Sequence, residues 1–177
     1  MKNMNDKGLF NFKTVIILII IIILSSLAFL AVLRIDSFVN EDLYSYGLQF
    51  DLFWANDYWF NKNLLLTFVA SATVLSALSI IPHFDHSTKP TTFSKWAGNF
   101  IPIVAAIYMI LSISFFLRID SIIKNTLPEY GLSLSYMWTA EYWTLNTTLI
   151  TLMLASLLLL IIPIIRTLEI LEIQLEA

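Results

Sequence analysis

The chain has no cysteine, only two histidines and four glycines, and just 13% of its 177 residues are charged. Without cysteine there are no disulfides, thiolate metal sites or cysteine-held iron–sulfur clusters, and no cysteine nucleophile. The redox compartment stays undetermined. Soluble domains carry about 25% charged residues, so roughly half the usual charge is missing, while 58% of the chain is hydrophobic. A soluble core of this size leaves much of its surface in water. Lipid must therefore cover the remainder. A net charge of −3 with no basic block speaks against nucleic acid as a partner.

What the chain does have is four uncharged apolar runs: Thr14 to Leu33, Leu64 to Pro82, Ile101 to Leu117 and Thr148 to Ile165. A bilayer crossing needs about 20 helical residues, and backbone groups in lipid must bond within their own segment. The runs are predicted to be transmembrane helices, although the isoleucine-rich first run would favour a strand in water. That first run is too long for a cleaved leader's apolar region and no A-x-A-like site follows it. It reads as a retained span.

Lysine and arginine near the span ends set direction. Lys2, Lys7, Lys13, Lys89, Lys95 and Arg166 lie on one side, and Arg34, Lys62, Arg118 and Lys124 on the other. Six against four predicts a multi-pass protein of the cell membrane with both termini cytoplasmic. The segments are then a cytoplasmic tail (1–13), a first unit (14–82), a cytoplasmic loop (83–100), a second unit (101–165) and an amphipathic tail (166–177).

The two units are copies. Residues 34–59 read RIDSFVNEDLYSYGLQFDLFWANDYW and residues 118–143 read RIDSIIKNTLPEYGLSLSYMWTAEYW, at a constant offset of 84. Eleven of the 26 positions are identical, where background composition gives about two. Asp57 and Glu141 add a matched acid. Further on, Ile-Ile-Pro ends both units (80–82 and 161–163), but at an offset of 81. That predicts a three-residue deletion in or before the fourth span. Two spans per copy make the copies parallel, related by a pseudo-two-fold axis along the membrane normal. The predicted fold is an all-α membrane protein: a pseudo-two-fold four-helix bundle of two helix–interfacial helix–helix units.

The interfacial helices are expected over about 43–59 and 127–143, where apolar residues recur at helical spacing. Asp42 would cap the first. Thr126 with Glu129 would form a capping box for the second, with Pro128 in its first turn. Aromatic residues of these segments suit the membrane–water boundary or a partner surface. The candidate contact residues are Tyr46, Gly47, Trp54, Tyr58 and Trp59, with Tyr130, Gly131, Trp138, Tyr142 and Trp143.

Arg34, Asp36, Arg118 and Asp120 lie where spans one and three leave the hydrocarbon. Two residues along a helix point to nearly opposite sides, so each arginine is expected to pair across the pseudo-axis, Arg34 with Asp120 and Arg118 with Asp36. His83, Asp85 and His86 form a weak metal candidate, since a structural zinc site needs four ligands. These are the only histidines, which excludes a haem held by two histidines within the spans. No cofactor is expected. Ionisable residues within a span often mark transport pathways, and the uncharged runs contain none. Their hydroxyls, such as Ser25, Ser71, Ser76 and Ser156, are expected to let helices approach closely.

The chain therefore reads as a non-catalytic integral membrane protein, a structural or accessory subunit of a larger membrane complex. Its expected partners are membrane lipids and other membrane subunits or further copies of itself. Two alternatives stay open: a small-solute transporter or pore acting as a homo-oligomer, and a membrane enzyme acting on lipid or quinone through Arg34, Arg118 and nearby carboxylates.

Overall fold

A computed structural model of the chain describes residues 12–45, 53–81, 100–129 and 136–175. The regular elements among them are four α-helices: α1 (Phe12–Ser45), α2 (Phe53–Leu78), α3 (Ile101–Glu129) and α4 (Tyr136–Leu175). Each contains a stretch long and apolar enough to cross a membrane: Thr14–Glu41, Asp57–Leu78, Ile101–Asn125 and Ala140–Ile165. These stretches are longer than the uncharged runs. Once a helix is propagating, each added residue gains a backbone bond at little further cost, so the helices continue past the first charged residue.

Burial along each helix follows steps of three and four. In α2 the buried stripe runs Tyr58, Lys62, Leu65, Val69, Ala72 and Ser76, continues to Ser79 in the turn that follows, and is flanked by the buried Asn61; in α4 the buried positions are Tyr142, Asn146, Leu149, Met153, Ser156, Leu160 and Pro163. In α1 the stripe runs Leu18, Ile21, Ser25, Ala28, Val32, Ile35, Val39, and in α3 Pro102, Ala105, Met109, Ser112, Phe116, Ile119, Ile123. This is a heptad pattern, with knobs facing a seam of period 3.5. Such a period goes with a left-handed supercoil and shallow crossing angles. Alanine and serine at many of these positions let the backbones come close, which matters because lipid offers no hydrophobic push between helices.

The helices form a ring in chain order, with α1 also closing against α4. The most extensive interface is α2 with α3, and the smallest of the four is α3 with α4. Phe68 of α2 stacks on Phe115 of α3 at 5.5 Å between ring centroids and tilts against Tyr108 at 5.5 Å. Outward positions such as Leu30, Val74, Ile110 and Leu158 are exposed. Lipid is their natural cover.

Two expectations are corrected. First, among the described residues the segments 43–59 and 127–143 contribute no helix of their own. Leu43–Ser45 finish α1, Phe53–Trp59 begin α2, Leu127–Glu129 finish α3, and Tyr136–Trp143 begin α4. Residues 46–52 and 130–135 lie outside the described residues. The amphipathic spacing belongs instead to the ends of the spanning helices. Asp42, Thr126 and Pro128 accordingly lie inside α1 and α3 and start no new helix. Second, no three-residue deletion is needed. Each of the seven buried positions of α4 lies 84 residues after a buried position of α2 or of the turn that follows it, through to Ser79 and Pro163; only Asn61, whose counterpart Leu145 is half-buried, breaks the match. The repeated Ile-Ile-Pro is thus out of register. Pro163 falls within α4, whereas α2 ends at Leu78 in a turn closed by Ile80 N–H to Ala77 O at 3.1 Å.

The heptad seam has a direct test. Leu149→Ala, at a fully buried position, should destabilise the bundle by about 2 kcal/mol or more, whereas Leu158→Ala, on the face 64% exposed, should change stability little. Denaturant titration of both variants in detergent micelles separates the two. Equal effects would refute the seam.

Candidate functional site

The polar residues that the sequence gathers at one end of the spans meet in two clusters, each centred on an aspartate. Asp36 lies one turn before the end of the buried stripe of α1. It accepts a hydrogen bond from the Tyr58 hydroxyl at 3.0 Å and from the Lys62 ammonium at 2.9 Å, both from α2. The Lys62 Nζ also sits 3.4 Å from the centre of the Trp59 ring. Asp120 of α3 accepts from the Tyr142 hydroxyl at 2.7 Å and the Asn146 amide at 2.8 Å, both from α4. Its cation comes from its own helix: Lys124 Nζ lies 2.5 Å from Asp120 Oδ2 and 4.1 Å from the Trp143 ring centre.

The helix register explains these meetings. Tyr58 and Lys62 are one turn apart on the inward face of α2, so both reach the same carboxylate. Tyr142 and Asn146 repeat the arrangement on α4. Lys124 stands at i+4 from Asp120, the spacing at which helix neighbours touch. Carboxylate–ammonium contact is worth most where water is excluded, and the Lys62 side chain is only 7% exposed. An ammonium over an indole face gains further attraction. Removing either partner of such a buried pair would strand a charge, at a cost of about 3–5 kcal/mol.

Below the first cluster, Val32, Ile35, Leu65, Phe116, Ile119 and Leu149, with Tyr58 and Lys62, surround a gap with room for about one water molecule. Asn146 Oδ1 is buried and meets no donor among the described residues. The span hydroxyls turn back on their own helices. Ser25, Thr73, Ser76, Ser79, Ser112 and Ser156 each donate to the carbonyl four residues earlier, a common way of satisfying a hydroxyl in lipid.

The expected arginine pairs are corrected. Arg34 lies 3.6 Å from Glu141 of α4, with both side chains at least half exposed, while Asp36 and Asp120 are taken by Tyr58 with Lys62 and by Tyr142 with Lys124 and Asn146. Arg118 forms no ion pair among the described residues. The reason is directional: the helix turn that points each aspartate inward points its arginine outward. A partner surface including Tyr58 and Tyr142 is corrected too, because both rings are buried; Trp59 and Trp143 remain exposed beside them. Trp54 and Trp138 stand in the first turns of α2 and α4. Tyr46, Gly47, Tyr130, Gly131, His83, Asp85 and His86 lie outside the described residues.

Sequence reasoning missed Lys62, Lys124 and Asn146 as partners. The signal was in the mismatches of the two copies: Lys62 corresponds to Asn146, and Asn40 to Lys124. The spans also do hold ionisable residues, Asp36, Lys62, Asp120 and Lys124 among them.

These features define an all-helical, multi-pass membrane protein, a four-helix bundle with two aspartate–lysine pairs held between or along its helices at one end. Compared with protein-family models, with curated proteins and with solved structures, the chain matches none.

The tyrosine hydroxyls should matter unequally. Among the described residues, Tyr58→Phe removes one of two donors to Asp36, and Tyr142→Phe one of three to Asp120. Loss of a hydrogen bond to a charged group costs about 1.5–3 kcal/mol. Unfolding in detergent should place Tyr58→Phe at the upper end of that range and Tyr142→Phe at or below the lower end.

Proposed function

We propose that the chain is a non-catalytic integral membrane protein serving as a structural subunit of a larger membrane assembly. It is built as two parallel copies about a pseudo-two-fold axis, with both termini on the cytoplasmic side of the cell membrane. The observation that carries this reading is the filled interior: a continuous heptad seam, a gap for about one water, and polar groups engaged with one another. Among the described residues, the interior of such a bundle is taken up by side chains rather than by a path for a solute or a chamber for a substrate. Against an enzyme of lipid or quinone that joins these arginines to the aspartates, both Arg34 and Arg118 are exposed and neither pairs with Asp36 or Asp120 among the described residues. What the molecule does offer its surroundings is a rigid, apolar outer surface with Trp59 and Trp143 at one end. Membrane lipids, other subunits or further copies are the partners that fit such a surface.

Extraction from native membranes in mild detergent, followed by native electrophoresis and mass spectrometry, tests the assignment. A stoichiometric companion chain is expected. A lone monomer would overturn it, and solute flux through liposomes holding only this protein would favour a pore instead.

The pseudo-axis has its own test. If it holds, Asp57 faces Arg118 as Glu141 faces Arg34, and falls short because its side chain lacks one methylene. Asp57→Glu should then create a second pair, with a coupling to Arg118→Gln of about 0.2–1 kcal/mol in a double-mutant cycle. Zero coupling would count against the axis.

A further inference from the structure

The two clusters contain the same parts but obtain their ammonium from different helices. At the offset of 84, Asp36, Tyr58 and Trp59 correspond to Asp120, Tyr142 and Trp143. Lysine and asparagine have changed places around them. The first half has Asn40 on α1 and Lys62 on α2; the second has Lys124 on α3 and Asn146 on α4. Despite that exchange, each ammonium ends in the same setting. It touches an aspartate oxygen, at 2.9 Å for Lys62 and 2.5 Å for Lys124. It also lies over the matching tryptophan, at 3.4 Å and 4.1 Å.

We propose that each half of the bundle holds one primary-ammonium site, formed by the aspartate carboxylate and the tryptophan face beside the tyrosine hydroxyl. Either of two helix positions can deliver the ammonium, and the lysine–asparagine exchange is compensatory. The chemistry requires one cation per site. With none, a carboxylate stands uncompensated in a region short of water; with two, an extra positive charge does. Both delivery routes are geometrically open. One residue stands across the helix interface, one turn below the tyrosine, and the other stands at i+4 on the aspartate's own helix. The position that gives up its lysine keeps a neutral donor: Asn146 reaches Asp120 at 2.8 Å, where Lys62 reaches Asp36 at 2.9 Å. The inference is independent of the protein's role as a subunit.

Relocating the lysine in the full-length protein decides the matter. K62N should lower the melting temperature in detergent, N40K/K62N should recover most of the loss, and N40Q/K62N should recover little. The mirror series of K124N and K124N/N146K should behave alike. If K62N yields no folded protein, recovery of a monodisperse species by N40K/K62N is the readout. The proposal is overturned if N40K/K62N is no better than K62N, or if glutamine at position 40 rescues as well as lysine. Failure of the mirror rescue would overturn the equivalence of the two sites.

Discussion

Water is scarce inside a lipid-embedded bundle, so a charged group carried there is stable only when another group of the same chain answers it. The rest of this structure follows from that constraint. Asp36 and Asp120 sit half-buried beside the inward stripe of their helices, and each is met by a tyrosine, a lysine and, for Asp120, an asparagine. Those bonds join α1 to α2 and α3 to α4 at one end. Through Arg34 and Glu141, α1 and α4 also meet at that end. Hydroxyls deeper in the spans are answered by the carbonyls of their own helices, which leaves the seam free to close by packing alone.

Close packing then depends on side-chain size. Ala28, Ala72, Ala105, Ser25, Ser112 and Ser156 are fully buried, or nearly so, and their small size lets larger neighbours such as Met109 and Met153 fill the space between helices. Dispersion contacts of this kind replace the hydrophobic drive that a soluble bundle would enjoy. The heptad steps keep the same face inward for the length of each helix. This explains why the polar clusters, at the end of the seam, inherit a fixed geometry.

The spans and their number were legible because they rest on composition and on the length of each apolar run. The outer segments were misread for a physical reason. Apolar residues at helical spacing mark an inward face, but the spacing does not reveal whether the helix is new or a continuation. Capping residues such as Thr126 carry weight only where a helix begins, and here α3 passes through them. The aspartate partners were hidden for a different reason. Asp36 and Arg34 are both charged and identical between the copies, so identity alone could not say which turned inward. The register of Tyr58 and Lys62, one turn apart, could have. The three-residue slip of Ile-Ile-Pro misled because a motif at a helix end counts for less than the periodicity of the whole face.

One asymmetry between the halves has a mechanical consequence. On the α1–α2 side, the opposite charges sit on different helices, Asp36 on one and Lys62 on the other. On the α3–α4 side, both charges ride on α3, and α4 contributes only neutral donors. Parting α2 from α1 pulls an ammonium away from a carboxylate in a medium of low dielectric, whereas parting α4 from α3 moves no charge from its counter-ion. The α3–α4 contact is also the smallest in the ring. Electrostatics thus resists separation of the α1–α2 edge more than separation of the α3–α4 edge opposite it.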